Sequence, residues 1–113
     1  MRHVNRVLII SVSVCLVSLG CANMPTPASQ ITGSYTSGLE YERFSCPKLA
    51  TELSSLARRE NQLVTAQEGR VKSSMMQAFW LGFGQGDGVE ASELANVRGA
   101  KEAVRKAISN KRC

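Results

Sequence analysis

The sequence predicts an all-α fold: an antiparallel helical hairpin of two long helices with an apolar apex, set behind a signal peptide and a disordered leash. Three observations carry this. Two stretches repeat apolar residues at helical spacing, and each opens on a capping signal. The chain from Cys46 to Lys72 and the chain from Asp87 to Cys113 are equal at 27 residues each, about 40 Å of helix at 1.5 Å per residue. Between them lies a glycine-rich segment suited to a turn. The expected divisions are residues 1–20 as signal peptide, 21–44 as flexible linker and 45–113 as the hairpin domain.

The first helix starts at Ser45. Serine caps a helix by accepting a backbone N–H, and Pro47 fits the first turn, where its missing N–H costs nothing. Leu49, Leu53, Leu56, Ala57, Leu63, Val64 and Val71 then follow at helical spacing. Glu60 and Gln67 interrupt the stripe, which implies an amphipathic face rather than a deeply buried one. Glu68 and Lys72 stand four apart as a favourable ion pair.

The second helix is expected to start at Asp87-Gly88-Val89-Glu90, a capping box with Asp in place of Ser or Thr. Leu94, Val97, Val104 and Ile108 form its apolar stripe. Beside them Ala91, Ala95, Gly99, Ala103 and Ala107 recur every four residues. Alanine is simply the best helix former, but a mid-helix glycine costs about 0.5–1 kcal/mol relative to alanine. Gly99 therefore implies that something approaches the backbone there.

Between the arms, Ser73 to Gly86 holds Met75, Met76, Phe79, Trp80, Leu81 and Phe83. Loops in helical bundles are normally short and polar. Two expectations follow with equal force. Either Met75 to Leu81 adds helical turns that fold onto the arms, with Gly82, Gly84, Gly86 and Gly88 making the turn, or the apex is an exposed contact site for a membrane or a partner.

At the other end, Arg2, His3 and Arg6 precede an apolar run from Val7 to Leu19 that closes on Gly20 and Cys21. A basic head, an apolar stretch of about 7–15 residues and a small residue before the cut describe a secretory signal peptide. The run is too short for the about 20 residues that span a bilayer. The box Ser18-Leu19-Gly20-Cys21 resembles the cleavage box of bacterial lipoproteins, with Ser18 where leucine is usual. The resemblance implies cleavage before Cys21, attachment of an acyl group such as palmitate to Cys21, and, with Ala22 rather than Asp following, residence in the outer membrane facing the periplasm.

Removal of residues 1–20 from the 113 leaves 93, and the loss of Arg2 and Arg6 leaves 12 Lys+Arg against 9 Asp+Glu, a net charge of +3. Residues 22–44 carry two of the three prolines with repeated Ser, Thr and Gly, and lack any period, so little burial is expected of them. Of the four cysteines, Cys15 leaves with the signal and Cys21 takes the lipid. Cys46 and Cys113 remain, and in an oxidising compartment a disulfide is the simplest state, with free thiols or an intermolecular bridge as the alternatives.

Catalytic patterns are sparse. His3, the only histidine, leaves with the signal, which removes the common histidine-assisted nucleophiles and, with two thiols left, any four-ligand zinc site. No cofactor is expected. Gly82-Phe83-Gly84-Gln85-Gly86-Asp87 lacks the Lys-Ser/Thr of a phosphate loop and reads as a turn. The basic run Arg98, Lys101, Arg105, Lys106, Lys111 and Arg112 can meet lipid phosphates, although cations late in a helix more often complement its dipole. Nucleic acid is not an expected partner for an exported chain.

Ser34-Tyr35, then Tyr41, Phe44 and Cys46, an apolar middle bearing Trp80, Glu93-Leu94-Ala95 with Gly99, and terminal Lys111-Arg112-Cys113 resemble a group of small bacterial lipoproteins. That group carries a longer, more continuous apolar middle; here it is short and glycine-rich. The resemblance implies envelope residence without an activity. The functional expectation is a non-enzymatic lipoprotein that acts as a structural or protein-interaction element, held to the membrane by its lipid, with an envelope protein or a second copy as partner. The alternative is a membrane-perturbing, lysis-type lipoprotein that uses the apex at 75–83.

Overall fold

A computed structural model describes residues 23–113. The signal peptide and Cys21 lie outside the described residues. Two helices, α1 (Cys46–Leu81) and α2 (Val89–Lys111), pack antiparallel against each other, and short 3-10 turns stand at Ala28–Gln30 and Tyr41–Arg43. The described residues contain no strand. The molecule is the expected all-α hairpin.

Local chemistry explains the ends. Ser45 caps α1, its hydroxyl accepting the Lys48 N–H at 3.4 Å, with Pro47 in the first turn. Gly82 ends α1 in the left-handed region, φ 83°, where glycine meets no Cβ penalty. Cys46 and Cys113 form a disulfide with Cα atoms 5.7 Å apart, within the range that the bond requires.

Two boundaries differ from expectation. The arms are unequal: α1 runs 36 residues and α2 only 23, about 54 and 35 Å. Nothing breaks α1 before Gly82, since Met, Gln, Ala and Leu are all good helix formers. The Arg70 to Glu90 ion pair, 3.4 Å, marks where α2 begins alongside α1, and Val71 to Leu81 runs on past it. Asp87 does not cap α2. Gly88 is the N-cap residue, without a side-chain bond, because the Asp87 carboxylate is held elsewhere.

Two helices alone make a thin core, and here a third layer completes it. Residues 23–44 have little regular structure, in keeping with their composition, but they lie along the hairpin as a strap. The expectation of little burial fails at Ala28, Ile31 and Tyr41, all buried. Ala28 and Ile31 close one apolar cluster with Leu63, Leu94 and Val97. Tyr41 closes a second with Leu49, Ala103, Val104 and Ala107. Tyr41 stacks edge-on against Phe44, and Lys48 lies over the Phe44 ring at 3.7 Å. Each cluster thus draws on three segments of chain.

Candidate functional site

The strap is fixed by a polar seam on α1. Glu60, Gln67 and Ser74 are spaced by seven residues, close to two helical turns, and so share one face. The residues that interrupt the apolar stripe turn inward. Gln67 is fully buried; its Nε2 donates to the Thr26 carbonyl at 2.7 Å and to Asp87 Oδ1 at 3.1 Å. Asp87 also accepts the Thr26 N–H at 2.6 Å and its hydroxyl at 2.7 Å. These bonds hold the Asp87 carboxyl below its ordinary pKa, the Thr26 hydroxyl foremost, then the Thr26 amide, Gln67 and the nearby Arg70 charge, against desolvation.

One turn of strap further on, Glu60 accepts Arg98 Nε at 2.9 Å and pairs with Lys101. Arg98 also donates to the carbonyls of Ala28, at 2.6 Å, and Ile31. One guanidinium therefore ties α1, α2 and the strap. Glu60 is held below its ordinary pKa, first by the Lys101 hydrogen bond and next by Arg98, against desolvation. It does not sit on an outer face as the sequence suggested. Glu68, expected to pair with Lys72, accepts the Ala28 N–H at 3.0 Å.

Gly99 is where the strap crosses α2. The Ser34 N–H donates to the Ala95 carbonyl at 2.9 Å, and a Cβ on Gly99 would overlap the Ser34 carbonyl and lie 2.8 Å from Thr36 Oγ1. Something does approach the backbone there, and it is extended chain rather than a helix. Gly33 is equally constrained, its Cβ position 2.9 Å from the Gly99 nitrogen.

The strap begins at the apex. The Gly86 N–H donates to the Asn23 carbonyl at 2.6 Å, and Asn23 Nδ2 donates to the Gly84 carbonyl at 3.3 Å. Ser74 is buried, accepts the Gln85 N–H at 2.7 Å and lies beside Met24. The return chain from Gly84 to Gly86 is thereby clamped between the end of α1 and the start of the strap.

The six apolar residues singled out from the sequence come together around this end and do not fold onto the arms. Met75, Met76, Phe79, Trp80, Leu81 and Phe83 are all exposed, from 51% at Phe83 to 79% at Phe79. Phe79 and Trp80 meet edge to face with ring centres 5.3 Å apart. The helical extension is as expected; its apolar side has nothing to cover it. The disulfide and the exposed basic residues Arg105, Lys106, Lys111 and Arg112 stand at the opposite end of the hairpin. Arg98 and Lys101, from the same run, are spent on Glu60.

Among the described residues, no three His, Cys, Asp or Glu side chains cluster as a metal site, and no helix is long and apolar enough to cross a membrane. A groove of about 340 Å³ under the strap is lined by Tyr35, Leu39, Glu42, Lys106 and Asn110, among others, with no paired acid and base of the kind hydrolysis uses. Comparison with known proteins finds no matching family model, curated protein or solved structure. The apex is the candidate functional site on exposure alone.

Proposed function

We propose that this chain is a non-enzymatic lipoprotein of the bacterial cell envelope, acylated at Cys21, in which a stapled helical rod presents an apolar apex for interaction. The resemblance to small envelope lipoproteins belongs to the same proposal, as does outer-membrane residence, which rests on Ala22 following Cys21. The observation that carries the interaction role is the cluster of six exposed apolar side chains at one end of an otherwise polar rod. An intramolecular disulfide supports export, since such bonds persist in oxidising compartments. Acyl labelling tests the anchor: Cys21→Ser is expected to lose the label and leave the membrane fraction, and a variant that stays membrane-bound and uncleaved contradicts it.

The lysis-type reading draws on the same exposed Phe79 and Trp80. It needs the basic end to hold head groups while the apex enters the bilayer, and these stand at opposite ends of the rod. Leakage of liposomes at micromolar unacylated protein would favour it; absence of leakage favours the structural role.

A further inference from the structure

The order of the chain brings the anchor and the apex together. Cys21 is two residues from Asn23, and two residues of extended chain reach about 7 Å. Asn23 is fixed to Gly84 and Gly86 by two hydrogen bonds, and Met24 lies against Ser74. We propose that the apex is a membrane foot: it seats in the same leaflet as the acyl group on Cys21, so that the rod stands apex-down with its disulfide end directed away from the bilayer. This rests on the acylation of Cys21 proposed above.

The apex has the chemistry of a foot. No charged residue occurs from Ser73 to Gly86. At about 100° per residue, Met75, Met76, Phe79, Trp80 and Leu81 spread around most of the helix circumference. Gln77, between them, is bonded to Gln85 Nε2 at 3.0 Å. An apolar stripe along one side would lay the helix flat on the surface, whereas an apolar collar at its end suits entry end-on. Tryptophan favours the boundary between head groups and acyl chains. Lys72, exposed nine residues before Leu81, stands about 13 Å up the helix, the level at which an ammonium meets phosphate once the tip is immersed by about 5–10 Å. No described helix can cross the bilayer, so the foot stays within one leaflet. The disulfide end then stands about 50 Å above it, from the length of α1.

Trp80 is the only tryptophan and reports the seat directly. The acylated full chain is reconstituted in vesicles of phosphatidylethanolamine and phosphatidylglycerol with brominated acyl chains, after acyl labelling has been read separately. Trp80 emission is expected to shift to the blue and to lose most of its intensity to bromine. In a Trp80→Phe, Lys111→Trp chain, the tryptophan at the far end is expected to keep its intensity and water-like emission. Water-like, unquenched Trp80 in labelled protein overturns the foot while leaving acylation standing. Quenching at both positions means a rod lying flat and also overturns it. Trp80 shielded in native envelopes but not in vesicles assigns the apex to a protein partner and overturns it. Absence of the acyl label removes the anchor, and the proposal falls with that reading.

Discussion

Replacing Gly99 by alanine sets two residue-scale effects against each other. Helix propensity favours alanine by about 1 kcal/mol, but the added methyl would overlap the Ser34 carbonyl, a backbone atom that moves only if the strap moves. Overpacking of this kind costs about 1–3 kcal/mol, so Gly99→Ala is expected to lower the thermal midpoint read by circular dichroism; a rise would mean that the strap does not cross there. Glu60 and Asp87 make a second residue-scale prediction. Each carboxyl is held below its ordinary pKa in the folded chain, Glu60 chiefly by Lys101 and Asp87 chiefly by Thr26. A depressed folded pKa contributes stability that is complete above the unfolded value, near 4, and is lost as pH falls through the folded value. The urea midpoint of the wild type is therefore expected to hold from neutrality down to about pH 5 and to drop below about pH 4. A Glu60→Gln, Asp87→Asn chain is expected to be weaker at neutral pH and to lose less on acidification. Equal acid losses in the two chains would show that these clamps carry no linkage.

At the scale of elements, the staple and the apex are expected to respond in opposite ways. Reducing the Cys46 to Cys113 bond, which spans 67 residues, removes a constraint worth about 4 kcal/mol in the chain-entropy model. A clear fall in thermal midpoint on reduction is expected, and an unchanged midpoint would contradict it. Replacing Phe79 and Trp80 by serine is expected to leave the midpoint within the scatter of surface substitutions, about 0.5 kcal/mol, because both rings are exposed. A loss near the 3–5 kcal/mol of a buried aromatic would place them in a core. The helices were legible because their signals are local: Ser45 and Pro47 start α1, apolar spacing carries both arms, and Gly99 announces a close neighbour. The six apex residues were legible by composition alone, although their exposure was not. The strap was illegible because it has no period; its contacts are single residues, Ala28, Ile31 and Tyr41, spaced by the shape of the hairpin. One trace of it was present in the sequence. Glu60, Gln67 and Ser74 repeat every seven residues inside an apolar face, and a polar seam on a buried side implies partners from elsewhere in the chain. Asp87 misled for a related reason, since its capping spacing was right but Thr26 and Gln67 claim its oxygens.

As a whole molecule, the chain is a rod with two unlike ends, an apolar apex where the strap begins and a basic, disulfide-closed end where it turns into α1. The strap joins them, completes both apolar clusters and sets which end lies near residue 21. The proposed orientation on a membrane depends on that course. Amide hydrogen exchange of the soluble domain tests it most directly, since the Thr26, Ala28 and Ser34 N–H groups donate to Asp87, Glu68 and the Ala95 carbonyl across the interface. These amides are expected to be protected and to open together with the core of α2, as a cooperative unit does. Exchange of all three at the rate of unstructured chain, with α1 and α2 still protected, would mean that residues 23–44 hang free of the hairpin and would contradict the account.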